Sequence, residues 1–354
     1  MRGNWNIWVG LAMASAALFG ASTPLAKLLL GNGVDPWLLA GLLYAGSGLG
    51  LGGYYLAQHM RETEASERPL RRADLPWLGL VVLSGGITGP VLLMIGLTRT
   101  SASSAALLLN VEGLATMGIA WLVFKENVDR RLLLGALAIL VGAALLSWEG
   151  RAGGLGLGAI AIVGACIAWG IDNNLTRKLS GGDPVQIAMI KGLAAGAVNL
   201  LLAIGRGAAL PAFPAIATAG LIGLLGYGVS LVLFVLALRH LGTARTGAYF
   251  STAPFIGGGL AILFLGDPLS GPFIAAAVLM GLGVYLHITE RHEHVHIHAT
   301  LEHEHRHVHD EHHGHGHAAD DPEGEPHSHV HRHEPLRHSH PHYPDLHHRH
   351  GHSH

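Results

Sequence analysis

Cysteine is all but missing from this sequence: one residue, Cys166, in 354. That excludes a disulfide framework and any cysteine-based zinc cluster. Charge is scarce too. Only 13% of residues are Asp, Glu, Lys or Arg, where a soluble domain carries about 25%. Most of the chain is therefore neither a plain water-soluble enzyme nor a disordered polymer. No Gly-x-x-x-x-Gly-Lys-Ser/Thr phosphate loop occurs, which argues against ATP-driven primary transport. No His-Glu-x-x-His or Ser/Lys constellation occurs either, so the chain reads as a non-enzyme. What is plentiful is apolar sequence (50%), glycine (50 residues) and histidine (27).

The histidines are segregated. Of the 27, 24 fall from His292 onward, in a 63-residue tail with 11 acidic and 4 basic residues, net −7 with histidine neutral. Residues 1–291 hold 18 basic and 13 acidic residues, net +5. An apolar body is joined to an acidic, histidine-rich tail.

The body reads as an integral membrane protein. A bilayer core about 30 Å thick needs about 20 apolar helical residues. Ten such stretches are predicted, at about 5–30, 36–57, 76–97, 101–123, 131–148, 155–178, 184–204, 215–238, 243–265 and 271–288. A soluble bundle would show a polar face at the 3.6 period. Leu132–Leu146 and Leu221–Leu238 are apolar all round. The first helix carries a signal-like Arg2 and small residues, but its counterpart in the second half argues for a retained span.

Loop charges predict orientation. With the N-terminus cytoplasmic, twelve basic residues lie inside: Arg2, the long 58–75 link with Arg61, Arg68, Arg71 and Arg72, and three further links. At most four lie outside: Arg99, Arg151, Arg206 and Lys27. An inner-membrane, multi-pass protein with both termini and the tail cytoplasmic is expected.

The body is written twice. Shifted by 141, residues 79–147 fall on 220–288 without a gap: Gly79 on Gly220, Gly85 on Gly226, Glu126 on Asp267, Gly142 on Gly283. Earlier, Phe19-Gly20 falls on Trp169-Gly170, Lys27 on Arg177 and Asp35-Pro36 on Asp183-Pro184. Five helices per half is an odd number, so the second half enters from the opposite side. Such inverted repeats are common in secondary transporters, with the substrate site near the midplane between the halves.

The stretch Gly96-Leu97-Thr98-Arg99-Thr100-Ser101-Ala102-Ser103-Ser104-Ala105-Ala106, then Phe124-Lys125-Glu126, and in the second half Ala237-Leu238-Arg239-His240-Leu241-Gly242-Thr243-Ala244 with Pro254 and Leu265-Gly266-Asp267-Pro268, resembles the EamA family of the drug/metabolite transporter superfamily. The resemblance covers nearly all of 5–288. It implies an all-α integral membrane fold of ten helices, with five-helix repeats over 1–150 and 151–290 and the tail over 291–354. Members of that family export amino acids, metabolites, drugs and, in some bacterial relatives, metal ions. Where a typical repeat has a proline in its fourth helix, this chain has Gly113 preceded by Glu112; the second repeat keeps Pro254.

Charged groups inside spans mark function by default. Glu112 lies halfway along the fourth helix near Asn110 and Thr116. It is a candidate proton carrier or hard-cation ligand, or a structural carboxyl. Asp172, Asn173 and Asn174 lie near the end of the sixth helix, at a depth similar to Lys191 in the seventh. Asp172 and Lys191 make a candidate ion pair, structural or substrate-binding. Thr23-Pro24 occupies the matching place in the first helix, and both sets are expected to interrupt their helices. Gly46-xxx-Gly50 and Gly192-xxx-Gly196 read as packing motifs, and Cys166 as a buried packing residue.

The tail runs His-x-His: His292, His294, His296 and His298; His303, His305, His307 and His309; His327, His329, His331 and His333. In an extended chain residues i and i+2 share a side, about 6–7 Å apart. Imidazole with carboxylate, without thiolate, suits Ni, Co, Zn or Cu(II) rather than Cu(I). A disordered tail with many exchanging metal sites is expected; a pH sensor is the rival. The reading that results is an exporter of a divalent transition metal, nickel or cobalt first and zinc next, by proton antiport. The alternative is an exporter of an amino acid or small metabolite whose tail is a metal or pH regulator. A membrane-tethered metal buffer is a third reading. No cofactor is obligatory. The partners expected are the lipid bilayer and metal ions, not nucleic acid, and the architecture allows a homodimer.

Overall fold

The computed structural model describes residues 2–60, 70–124, 130–148, 156–176, 179, 183–241, 246, 249–288, 293–297, 301–307, 327–333 and 337–341. Among these, ten helical spans follow one another: α1 Arg2–Gly31, α2 Pro36–Met60, α3 Arg72–Arg99, α4 Ala102–Val123, α5 Arg130–Ser147, α6 Leu157–Thr176, α7 Pro184–Gly205, α8 (213–241), α9 Ala253–Leu265 and α10 Gly271–Ile288. Seven spans are long and apolar enough to cross a bilayer outright. Of the others, α9 and α10 are apolar but shorter, and α2 is long but rich in glycine and tyrosine. Leu122, Leu263 and Phe264 are each 73% exposed, an arrangement water would penalise and lipid tails accept. The protein is a multi-pass membrane protein.

The ends are set by local chemistry repeated in both halves. Asp35 Oδ1 accepts from the backbone N–H groups of Trp37 and Leu38, and Asp183 Oδ1 accepts from those of Val185 and Gln186. Each Asp-Pro pair is thus an N-cap followed by proline at the first helical position. Gly33 (φ 84°) leaves α1 and Gly266 (φ 69°) leaves α9 in the left-handed conformation that glycine adopts without penalty.

The packing is exchanged between halves. α1 packs on α8 and α9, and α6, its repeat partner, packs on α3 and α4. α2 packs on α7, and α5 on α10. Every pair maps onto itself or onto another under the exchange of repeats, as a pseudo-two-fold requires. The glycines allow this. A Cβ on Gly48 would lie 2.7 Å from Gly192 C, and one on Gly196 2.6 Å from Ala45 N. Gly142 faces Met280, and Gly283 faces Gly135. The Gly-xxx-Gly motifs are packing surfaces, with Gly46 and Gly50 turned to α8 (Gly220 and Leu224) rather than to α7.

Helix irregularities differ from expectation. α1 runs unbroken through Pro24, and α6 is regular through Asp172, Asn173 and Asn174. Asn174 keeps the local ladder occupied by donating to Gly170 O (2.8 Å). The interruptions lie elsewhere. α3 contains a π-helical segment at Val82–Thr88 and α8 one at Leu224–Val229, which overlap under the 141-residue shift. α4 breaks at Leu109, between Ala102–Leu108 and Asn110–Phe124.

In the tail the described residues are four short segments in antiparallel pairs: β1 Glu293–Ile297 with β4 Arg337–Pro341, and β2 Leu301–His307 with β3 His327–His333. The two-residue alternation of His-x-His matches the period of a strand. His292, His298 and His309 lie outside the described residues.

Candidate functional site

The π-helical turn of α3 brings its backbone against the second half. Gly85 O accepts from Tyr44 Oη (2.7 Å) and Trp169 Nε1 (3.0 Å), and Gly86 O accepts from Asn199 Nδ2 (3.0 Å). A π turn loosens the i→i+4 ladder, and such turns recur at functional sites. Glycine is required here because a Cβ on Gly85 would overlap the Asp172 carboxyl group.

Asp172 is 4% exposed. Its Oδ2 lies 2.5 Å from Lys191 Nζ, and its Oδ1 accepts from Thr176 Oγ1 (3.2 Å). The pair expected from helix depth is formed. Removing two charges from water costs several kcal/mol per ion unless they are paired and further bonded, and both conditions hold.

Glu112 follows the break in α4. Its Oε1 accepts from Asn173 Nδ2 (3.0 Å), which also reaches Thr116 Oγ1 (3.2 Å). Asn174 Nδ2 donates to Thr116 O (3.1 Å). The structure therefore joins Glu112, Asn173, Asn174 and Thr116 across α4 and α6. It does not join Asn110 to Glu112: Asn110 Nδ2 turns back to Leu107 O (2.9 Å) and lies 3.9 Å from Met280 Sδ, bridging the break. Thr23 is buried in α1, and no hydrogen bond joins it to Glu112, Asp172 or Lys191.

Aromatic side chains complete the centre, a feature our reading of the sequence did not anticipate. Phe19 of α1 contacts Trp169 (ring centroids 6.4 Å apart), Tyr227 (6.0 Å) and Phe250 (5.4 Å), and Tyr44 contacts Tyr227 (5.4 Å). Phe19 and Trp169 are repeat partners, and Tyr227 lies in the π segment of α8. The signal was present: both aromatics precede a glycine at matching positions, and the π segments carry Gly85-Gly86 and Gly226-x-Gly228. Asn199 is wholly buried, and its Oδ1 has no hydrogen-bond partner, leaving an acceptor available beside the π turn.

Two further features border the centre. An apolar cavity of about 380 Å³ lies among α4, α5 and α6, lined by Val111, Leu114, Met117, Trp121, Leu140 and Ile167 among others. Toward the end of the bundle where α1, α3 and α9 finish, Lys27 Nζ donates to Leu97 O and Thr100 O. There Asp267 Oδ2 accepts from Ser103 N (2.8 Å), tying the second half to the start of α4. Among the described residues no three His, Cys, Asp or Glu side chains converge as a metal cluster.

Comparison with known proteins bears on this arrangement. A solved crystal structure with 20% identity superposes with a TM-score of 0.57, covering 78% of this chain and 94% of that one, which speaks to the fold. An uncharacterized transporter of Methanothermobacter thermautotrophicus is 28% identical over 298 residues, 79% of this chain and 86% of that protein. A probable 4-amino-4-deoxy-L-arabinose-phosphoundecaprenol flippase subunit ArnE of Pseudomonas paraeruginosa is 37% identical over 110 residues, 31% of this chain and 92% of that subunit. The model of the EamA-like transporter family matches twice, over residues 6–148 and 156–289. With both repeats matched over most of the sequence, the chain belongs to the EamA-like transporter family.

Proposed function

We propose that the protein is a secondary-active exporter of the inner membrane, with both termini cytoplasmic, in which Glu112 carries the coupling proton of an antiport cycle. The observation that carries this reading is the contrast between its two central carboxylates. Asp172 has a cation at 2.5 Å. Glu112, half-buried beside a helix break, has the neutral Asn173 at 3.0 Å. A carboxylate in a low-dielectric site without a bonded counter-ion is suited to binding and releasing a proton. The Lys27 and Asp267 contacts support a resting state closed on the outer side.

For the substrate, the centre favours a small organic molecule. Aromatic faces at Phe19, Trp169 and Tyr227 and a free amide oxygen on Asn199 suit a metabolite with an apolar part and a polar, hydrogen-bond-donating group. The flippase-subunit relative handles an amino sugar on a lipid carrier, by its name. A divalent transition metal, nickel or cobalt before zinc, is the second reading. It is favoured by the 24 histidines of the tail, which would bind the ion on the cytoplasmic side.

The test is transport in proteoliposomes holding a pH-sensitive dye. Amino acids, amino sugars, Ni²⁺, Co²⁺ and Zn²⁺ are offered in turn. The exported class should drive counter-movement of protons in wild type. Glu112→Gln should abolish both substrate and proton flux at normal protein levels. Wild-type flux in that variant would overturn the coupling role.

A further inference from the structure

The cavity of about 380 Å³ among α4, α5 and α6 has a lining unlike the centre it borders. Apart from the Trp121 indole, no lining side chain carries a hydrogen-bonding group. A site that selects a metabolite needs a few placed polar groups, so this cavity is suited to a purely apolar occupant. Its origin lies in the packing. Gly135 and Gly142 draw α5 against α10, where they meet Gly283 and Met280. α5 therefore leans on α10 rather than on α4, and the small residues Ala115, Gly118 and Ala136 line the gap that results. The gap opens outward. Trp121, Leu133, Leu140 and Ile167 of its wall are between 47% and 52% exposed, and the neighbouring Leu122 and Leu137 are exposed too. The cavity is thus an indentation of the surface that faces lipid tails. Left unfilled, its walls would forfeit their dispersion contacts.

The second half closes the corresponding place. Under the 141-residue shift Leu114 falls on Phe255 and Leu140 on Gly281. The Phe255 ring lies 3.8 Å from where a Cβ of Gly281 would stand, so a ring from α9 fills the space over a glycine of α10. Charge departs from the repeat at the same spot. Arg130 and Arg131 open α5 and are exposed, within one turn of Leu133 in the cavity wall. Their counterparts are Gly271 and Pro272. A phosphate is favoured beside them twice over. Arginine presents a planar fork that phosphate oxygens match, and the start of a helix is the positive end of its dipole. We propose that this is a phospholipid site, with one acyl chain in the cavity and an anionic phosphate headgroup at Arg130 and Arg131. The surrounding bilayer supplies the occupant. It comes from the cytoplasmic leaflet, and that choice of leaflet alone rests on the orientation proposed above. The bound chain packs against the part of α4 that follows the break at Leu109, the segment that carries Glu112.

The experiment uses full-length protein in phosphatidylcholine liposomes with a trace of phosphatidylglycerol bearing a photoactivatable diazirine in its acyl chain. Adducts are mapped by mass spectrometry. In wild type they should concentrate on residues 111–121 and 133–140. Few should fall on 252–262 and 274–281, although Ile274 and Val278 are equally open to lipid. Unlabelled phosphatidylglycerol should displace the probe at a lower mole fraction than added phosphatidylcholine. Arg130→Gln/Arg131→Gln should keep the adducts and lose that preference, by about fivefold for each arginine. Leu114→Phe/Leu140→Gly copies the filled arrangement of the second half, and Ala136→Phe fills the space from α5 alone. Both should lose the adducts, and two independent fillings keep the result clear of either variant's stability. Equal labelling of the two repeats, or unchanged labelling in both filled variants, would mean bulk lipid only and overturn the site. Displacement by phosphatidylcholine as effective as by phosphatidylglycerol would overturn the headgroup assignment. Displacement by a transported substrate, with phosphatidylglycerol ineffective, would give the cavity to the cargo and overturn the lipid assignment. Labelling requires no transport, so failure of the lipid site and failure of the export reading are told apart.

Discussion

Asp172 and Glu112 show how the same functional group is given two tasks by its neighbours. Lys191 and Thr176 hold Asp172 as a charged structural unit against the Gly85 turn. Removing one partner of a buried pair leaves the other charge uncompensated, at a cost of about 3–5 kcal/mol, whereas replacing both with apolar groups is often neutral. Asp172→Asn should therefore lower the thermal midpoint in detergent markedly, and Asp172→Asn/Lys191→Met should recover most of the loss. If the double variant is as unstable as the single and also fails to transport although folded, the pair has a role beyond packing. The pair was legible in the sequence because helix depth alone predicts which charges can meet. The bond between Glu112 and Asn173 was not. It depends on how α4 is rotated after its break at Leu109, and that rotation leaves no trace in hydropathy.

At the scale of elements, the two π segments matter most. They fall at matching places in α3 and α8, and the one in α3 aims the backbone carbonyls of Gly85 and Gly86 at Tyr44, Trp169 and Asn199. Span positions and the repeat were readable, since hydropathy and loop matches report them directly. The irregular turns were not, because a π turn inserts one residue into an apolar helix without changing its composition. The expectation of breaks at Thr23-Pro24 and Asp172–Asn174 followed residue chemistry, and packing of α1 and α6 overrode it. Glycine gives the sharpest test. Gly85→Ala would drive a methyl group into the Asp172 carboxyl, and overpacking of this kind costs about 1–3 kcal/mol. Gly79→Ala, earlier in the same helix with nothing within 4 Å, should be neutral or stabilising by up to about 1 kcal/mol. Melting curves of the two variants should therefore move in opposite directions or differ clearly. Equal shifts would mean that the Gly85 turn yields and is not a fixed feature of the centre.

For the whole molecule, the exchange of α1 and α6 between halves ties the repeats together, so the moving parts cannot be the two sequence halves taken as separate bodies. On the proposed export cycle, a motion that keeps these packed groups intact would shift α1, with α8 and α9, against α6, with α3 and α4. The aromatic and carboxylate centre lies where these groups meet. The tail stands outside this machinery, and the two are separable by experiment. Truncation after Arg291 removes the histidine strands but none of the ten spans. Export by the body should therefore continue. Tethered ligands act by raising local ion concentration at the mouth of the protein, an effect that matters when free ion is dilute and fades when it is abundant. If metal is the cargo, the truncated protein should protect cells less at low external metal and equally at high metal. If the cargo is organic, truncation should leave its saturated flux unchanged and abolish any dependence of that flux on added Ni²⁺ or Zn²⁺. A reporter fused after Arg291 settles the side on which this happens. The excess of twelve basic residues over four predicts cytoplasmic activity. A reporter active only in the periplasm would place the histidine-rich tail on the exit side of the membrane, where it would receive an exported ion instead of supplying it.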